Sequence, residues 1–150
     1  CIRISTAKKA GIMAEAFLDT AYAIALSSPN DLFHIRAISL AERLESTGVR
    51  LITTRAVLVE IGNSLSRWRY RSAAIELLDA IESDPNIRIV SVSEPLYLRA
   101  LELYRERLDK EWGLTDCISF LVMQDYGITD ALTTDVHFEQ AGFRAMMREA

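Results

Sequence analysis

Short apolar runs alternate along most of this chain with longer segments that have helical spacing. Four runs have the length of buried strands; they cover residues 16–18, 49–53, 87–92 and 128–134, and residues 143–147 form a weaker fifth. The intervening segments are bounded by capping residues and glycines. This alternation predicts an α/β fold, a three-layer α/β/α sandwich around a central, mostly parallel sheet of four to five strands with right-handed crossovers.

The capping residues predict where the main helices begin. Asp31 is expected to cap a helix that ends near Thr47, with an inward face formed by Ile35, Ile38, Ala41 and Leu44. Three further caps are expected, at Thr54, Ser93 and Thr115. Another helix is expected to begin at Ser72, after a junction over residues 66–71.

Composition places limits on the class of protein. A length of 150 residues suits one domain, which we expect at residues 13–150 after a disordered N-terminal leader at residues 1–12. A net charge of −4 provides no general attraction to nucleic acid, and two cysteines are too few for a disulfide framework or a zinc site. No apolar run reaches the roughly 18 residues of a membrane helix. We therefore expect a cytoplasmic protein with no membrane partner.

Four carboxylates, here called the acidic quartet, lie where the predicted fold places a ligand site. Asp19 and Asp135 each follow a predicted strand, Asp116 lies in the first turn of a helix, and Glu60 lies about two turns into another. In parallel α/β sheets, ligands bind outside the carboxyl ends of the strands. All four side chains are therefore expected to face the same edge of the sheet.

A divalent cation explains why four acids would be gathered in one place. Without a cation, neighbouring carboxylates raise one another's pKa and resist ionisation. An all-oxygen set favours Mg²⁺ or Mn²⁺ over zinc. Such an ion can activate water and stabilise the leaving oxygen of a phosphodiester, which indicates a metal-dependent nuclease. The chain has no GxGxxG, GxxxxGK[ST] or GxSxG motif that would favour another chemistry.

Each acid of the quartet lies in a segment that can be compared with known families. The segments are residues 17–20, 54–65, 114–120 and 131–138. Together they resemble the PIN-domain ribonucleases, and among these the VapC-type toxins of toxin–antitoxin pairs, over nearly all of residues 16–143. The resemblance implies a Mg²⁺-dependent endoribonuclease, for which Mn²⁺ could substitute, with the quartet as its catalytic residues and metal ligands. It also implies a homodimer inhibited by a small antitoxin protein.

Several residues near the quartet are candidates for supporting roles. By the resemblance to PIN-domain ribonucleases, Thr115 matches the Ser or Thr that the family often has before its third acid. Thr134 and Asn63 could orient the metal ligands. His137 and His34 are expected to be structural, and Asp130 is expected at the far end of its strand. Arg67, Arg69 and Arg71 alternate with Trp68 and Tyr70, a pattern that suits RNA binding but also suits a solvated helix junction.

The function predicted from the sequence is hydrolysis of RNA by a metal-activated water, in the toxin of a toxin–antitoxin pair. The main alternative is a PIN-like module that binds RNA or a protein without cutting. A weaker alternative is a metal-dependent DNA nuclease or phosphatase of similar fold.

Overall fold

The computed structural model describes residues 14–149, so the predicted leader at residues 1–12 lies outside the described part of the chain. Five strands form one sheet, in the order β3-β2-β1-β4-β5, and every neighbouring pair is parallel. Their bounds are β1 Glu15–Leu18, β2 Arg50–Thr54, β3 Ile87–Val90, β4 Asp130–Leu132 and β5 Arg144–Ala145. This arrangement confirms the predicted α/β fold class.

Seven α-helices flank the sheet in residues 14–149. Their bounds are α1 Thr20–Ser27, α2 His34–Thr47, α3 Arg55–Ser64, α4 Trp68–Ser83, α5 Glu94–Glu106, α6 Leu114–Tyr126 and α7 Val136–Gln140, and a 3₁₀ helix follows at Met146–Arg148. None of these helices has the length and apolar character needed to span a membrane.

The predicted caps of α3 and α5 are confirmed. The Thr54 hydroxyl accepts a hydrogen bond from the Val57 N–H at 3.2 Å, and the Ser93 hydroxyl accepts one from the Leu96 N–H at 3.2 Å. Each hydroxyl satisfies a donor that the first helical turn leaves without a partner. The start of α3 is thereby tied to the end of β2.

The predicted inward face of α2 is wrong for Ile35 and Ile38, although Leu44 is buried and Ala41 packs against the core as predicted. Ile35 and Ile38 are 83% and 38% exposed, whereas Ala37, Leu40 and Leu44 are buried. The helix also begins at His34 rather than beside Asp31, because the Asp31 carboxylate accepts from the Phe33 N–H in a separate turn. This segment has apolar residues on two faces, and helical spacing alone does not decide which face meets the sheet.

The predicted starts of two other helices are also wrong. α4 begins at Trp68 and not at Ser72, so the basic run belongs to its first turn. α6 begins at Leu114 after Gly113, so Thr115 is a helical residue and not the cap. A carboxylate three residues into α6 accepts from the Gly113 N–H and performs the capping instead.

Three aromatic side chains form the core directly below the carboxyl ends of the central strands. Phe17 of β1, Phe120 of α6 and Phe138 of α7 are all at least 98% buried. The ring centroids of Phe120 and Phe138 lie 5.0 Å apart, and those of Phe17 and Phe138 lie 6.2 Å apart. This packing holds α6 and α7 against β1, which fixes the elements that carry Asp116 and Asp135 relative to Asp19.

Candidate metal centre

The carboxyl ends of β1 and β4 carry two acids of the quartet. These strands are neighbours, and the Asp19 N–H donates to the Leu132 carbonyl at 3.3 Å. The Thr133 hydroxyl donates to Asp19 Oδ2 at 2.7 Å and accepts from the Asp135 N–H at 3.0 Å. One buried threonine therefore fixes the position of Asp19 relative to Asp135.

Asp19 is the most buried acid of the quartet, with 6% of its surface exposed. Burial raises the pKa of its carboxyl group to about 7, and the charges of Asp116 and Glu60 act in the same direction. Hydrogen bonds from the Thr133 hydroxyl and the Thr20 N–H oppose this rise in pKa. An ionised Asp19 is thus costly unless a cation lies beside it.

Asp116 and Asp135 meet at the N-terminal ends of α6 and α7. One ligand atom of each, together with one ring nitrogen of His137, lies within 4.8 Å of the others. His137 Nδ1 is 3.2 Å from Asp116 Oδ2 and 3.4 Å from Asp135 Oδ1. Burial raises the pKa of Asp116, as does the charge of Asp135, while hydrogen bonds from the Gly113 N–H and from His137 lower it.

Glu60 is half-buried on α3 and completes the set of charges around Asp19. Its charge helps to raise the pKa of Asp19, which shows that the two carboxylates lie within electrostatic range. Among residues 14–149, neither Glu60 nor Asp19 belongs to the tighter group formed by Asp116, Asp135 and His137. Asp19 is linked to that group through Thr133 and through the charge of Asp116.

The donor set fits a divalent cation. Within residues 14–149, no lysine or arginine forms an ion pair with any acid of the quartet. The Thr20 hydroxyl, adjacent in sequence to Asp19, is buried and has no hydrogen-bond partner among the described residues. Four carboxylates that no lysine or arginine pairs with in residues 14–149 can be satisfied by a hard cation, which prefers carboxylate oxygens as ligands.

The comparison with protein families gives a match over residues 16–144, to the family described as the PIN domain. This chain belongs to the PIN-domain family. The match spans β1 to the first residue of β5 and includes every member of the acidic quartet.

Relatives of this PIN domain include a named endonuclease. The chain is 30% identical over 128 residues to the 23S rRNA-specific endonuclease VapC20 of Mycobacterium tuberculosis, covering 85% of this chain and 94% of that protein. The crystal structure of VapC20, described as a sarcin-ricin loop cleaving toxin, matches with a TM-score of 0.75 and 29% identity, over 85% of this chain and 95% of the other. The chain is therefore a homologue of VapC-type toxins.

Two further solved structures share the fold of this PIN domain. VapBC2 from Rickettsia felis, bound to a DNA fragment from their promoter, matches with a TM-score of 0.65 and 16% identity over 87% of this chain and 96% of that one. FitAcB from Neisseria gonorrhoeae matches with a TM-score of 0.62 and 19% identity over 87% and 95%. At these identities the likeness shows the fold alone.

The threonine that supports this PIN site is Thr133, one residue before the predicted Thr134. Thr134 makes no side-chain hydrogen bond to the described residues, and its carbonyl accepts from Arg148 at 3.4 Å. Residues 133 and 135 lie on the same side of an extended chain, which was a usable signal for Thr133. Thr115 contributes only its carbonyl, to the Ser119 hydroxyl, and Asn63 is exposed on α3 without a side-chain hydrogen bond to residues 14–149.

The two histidines of this PIN domain have different environments. The expectation that His137 is merely structural did not anticipate its contacts with Asp116 and Asp135, which only the packing of α7 against α6 creates. His34 Nδ1 lies 2.7 Å from the Ala25 carbonyl and joins α2 to α1, as a packing role predicts. Asp130 begins β4, away from the site, and lies 3.6 Å from Arg144.

Proposed function

We propose that this PIN domain is a Mg²⁺-dependent endoribonuclease and the toxin of a toxin–antitoxin pair. Its acidic quartet, Asp19, Glu60, Asp116 and Asp135, would hold the ion, and Mn²⁺ could substitute. The observation that carries the proposal is that the buried Asp19 lies near the three other acids of the quartet and that none of the four is paired with a lysine or arginine in the described residues. Homology to a named rRNA endonuclease supports the reaction class.

The bound ion would offset the repulsion among the acids, activate a water for attack on phosphorus and stabilise the leaving oxygen. Asp19 must be ionised to act as a ligand, and burial raises its pKa to about 7. Thr133 holds Asp19 Oδ2 in place, and His137 contacts Asp116 and Asp135 at their carboxylate oxygens. The chain thus supplies a pre-positioned set of oxygens rather than a nucleophilic side chain.

The proposed substrate class is RNA, by analogy with the 23S rRNA named for VapC20. Arg67, Arg69 and Arg71 are the proposed RNA-binding residues, and all three are exposed. A small antitoxin is the proposed protein partner, and we expect a cytoplasmic homodimer built from one domain over residues 13–150.

The experiment that tests this proposal compares two aspartate-to-asparagine variants. Asp116→Asn removes a carboxylate from the centre, whereas Asp130→Asn removes one at the opposite end of β4. Purified proteins are incubated with ribosomal RNA, with and without Mg²⁺, and products are resolved on a gel. We expect Mg²⁺-dependent cleavage by the wild type and Asp130→Asn, and a loss of about 100-fold or more for Asp116→Asn.

Full Mg²⁺-dependent activity in Asp116→Asn would refute the assignment of the centre. Stable RNA binding by the wild type without cleavage in either Mg²⁺ or Mn²⁺ would instead support the non-catalytic binding module.

A further inference from the structure

α3 and α4 form an antiparallel helical hairpin whose tip holds the basic run. At one end of the hairpin, Arg55 forms an ion pair with Glu82. Near the C-terminal end of α3, Gly62 faces Leu78, since a Cβ on Gly62 would lie 3.8 Å from Leu78 Cδ1. Residues 65–68, which connect the two helices, therefore lie at the end farthest from Arg55 and Glu82.

The hairpin tip, defined as residues 66–71, combines positive charge with exposed aromatic surface. Trp68 is 86% exposed and Tyr70 is 43% exposed. Within residues 14–149, none of the three arginines of the tip forms an ion pair with a carboxylate. In a chain of net charge −4, three such guanidinium groups among six residues form a strong local anion-binding surface.

Two arginines of the tip contact its backbone and its tyrosine ring. Arg71 donates through Nε and Nη2 to the Ser66 carbonyl at 3.2 and 2.7 Å. The guanidinium of Arg69 lies 5.7 Å from the centroid of the Tyr70 ring. Arg67 makes neither kind of contact among the described residues, so its guanidinium group is the most available to a ligand.

The second tryptophan, Trp112, has a structural role that contrasts with the exposure of Trp68. Trp112 is 6% exposed, packs edge-on against Phe120 at 5.0 Å and donates its ring N–H to Gln140 at 3.0 Å. Trp68, which is 86% exposed, makes no comparable ring contact or side-chain hydrogen bond among residues 14–149. An exposed indole flanked by arginines provides a stacking surface for a base beside donors for its phosphates, which is how single-stranded nucleic acid is bound.

α3 connects this tip physically to the metal centre. Glu60 lies on α3 and is electrostatically coupled to Asp19, and Arg67 follows Glu60 by seven residues. α3 ends at Ser64, so the four helical steps from Glu60 rise about 1.5 Å each and the three steps from there to Arg67 add at most about 3.6 Å each, which places Arg67 within about 17 Å of Glu60 along the chain. An RNA strand bound at the acids can therefore reach the tip within a few nucleotides.

We infer that Trp68 stacks on an unpaired base of the RNA substrate while Arg67 and Arg69 bind the adjacent phosphates. This inference rests on the proposed ribonuclease function and deepens it, because it makes the tip a positioning surface that selects RNA with unpaired nucleotides near the cleaved bond. Bases within a duplex are stacked on one another and are not free to stack on an indole.

The binding test uses the Asp116→Asn background, in which RNA is expected to remain intact. The probes are a fluorescein-labelled RNA hairpin with an unpaired loop and a fully paired RNA duplex. We expect Trp68→Ala to weaken hairpin binding by about fivefold to 100-fold, Trp68→Phe to retain most of it, and duplex binding to change little. Tyr104→Ala, which removes a 47% exposed aromatic from α5, is the matched control and should leave both affinities unchanged.

Intrinsic fluorescence gives a second readout that a general loss of stability does not mimic. The chain has two tryptophans. Hairpin RNA should quench the emission of the Asp116→Asn protein, whereas the same protein with Trp68→Phe, which retains only the buried Trp112, should show little quenching. Arg67→Gln should make the salt dependence of binding weaker, reducing the magnitude of the negative slope of log affinity against log salt concentration by about 0.7.

The inference is overturned if Trp68→Ala binds hairpin RNA as tightly as the Tyr104→Ala control. It is equally overturned if Trp68→Ala changes the oligomeric state, measured by light scattering, but not the RNA affinity, since the tip would then be a protein contact.

In the active enzyme, Trp68→Ala should raise KM more than it lowers kcat. If the wild type cleaves no RNA but Trp68→Ala still weakens hairpin binding, the proposed function fails and the RNA-binding tip stands.

Discussion

Burial disfavours the ionised form of the Asp19 carboxyl group. Its pKa is about 7 in the folded protein, against an ordinary value of 3.8. The native state therefore binds this proton more tightly than the unfolded chain. The stabilisation is fully present below about pH 4 and is lost as the pH rises through about 7, so Asp19 disfavours the metal-free fold at neutral pH.

Replacing Asp19 with asparagine should remove the energetic cost of ionising a buried carboxyl group at neutral pH. In the absence of metal we expect Asp19→Asn to raise the free energy of unfolding by about 2–4 kcal/mol near pH 8 and to have little effect near pH 4. Thermal melts in EDTA across this pH range measure the difference from wild type. Asp130→Asn is the control, and an unchanged pH dependence in Asp19→Asn would show that Asp19 ionises without penalty.

Thr133 offers a second prediction, because its neighbour Thr134 is a matched control. Thr133→Val deletes the hydroxyl that joins Asp19 Oδ2 to the Asp135 N–H, and should cost about 1–3 kcal/mol of stability. Cleavage should fall by about tenfold or more, because a ligand loses its orienting partner. Thr134→Val should change both quantities little. Equal behaviour of the two variants in melts and cleavage assays would contradict the role assigned to Thr133.

Among the secondary-structure elements, α3 contains a glycine, Gly62, at a position where its backbone conformation and surroundings would also accept alanine. Gly62 has no positive φ, and an added Cβ would make only an ordinary contact with Leu78 at 3.8 Å. Gly62→Ala should therefore stabilise the protein by about 0.5–1 kcal/mol, through the higher helix propensity of alanine. Urea denaturation measures this gain.

Gly48 supplies the opposite case at the end of α2. Its φ is +71°, and its N–H donates to the carbonyls of Glu45 and Leu44, which ends the helix. Gly48→Ala should destabilise the protein by about 1–2 kcal/mol, because L-residues avoid this region. If the two alanine variants shifted stability in the same direction, the local account of α2 and α3 would be wrong.

Elements differ in how well the sequence predicted them, for physical reasons. The starts of α3 and α5 were predictable because Thr54 and Ser93 act through local hydrogen bonds within three residues. The buried face of α2 was not, because Ile35 and Leu40 are both apolar and only packing against the sheet and α1 distinguishes them. The start of α4 was missed because arginines and aromatics are compatible with either a junction or a helical turn.

In the whole molecule, the sheet explains why the positions of three acids of the quartet could be predicted from the sequence and their hydrogen-bond partners could not. Acids that follow strands or open helices must lie at one edge of a parallel sheet, so Asp19, Asp116 and Asp135 were predictable from position. The contact of His137 with Asp116 joins residues 21 positions apart through the packing of α6 and α7. Alternation along the extended chain places Thr133 on the same side as Asp135, but the hydrogen bond of Thr133 to Asp19 spans 114 positions and depends on the pairing of β1 with β4.

The whole molecule should also respond to the ion. A cation that binds the native state and not the unfolded chain raises the melting temperature, by an amount that grows with ion concentration. We expect Mg²⁺ and Mn²⁺ to stabilise the wild type and to have much less effect on Asp116→Asn. A Mg²⁺-dependent shift that persists in Asp116→Asn would place the ion elsewhere.

Anomalous X-ray diffraction from crystals grown with Mn²⁺ would locate the ion independently of any activity. We expect an anomalous peak coordinated by carboxylate oxygens of Asp19, Asp116 and Asp135, with Glu60 facing it, and loss of that peak in Asp116→Asn crystals. An ion bound at other residues, or a quartet that stays without an ion at saturating Mn²⁺, would contradict it.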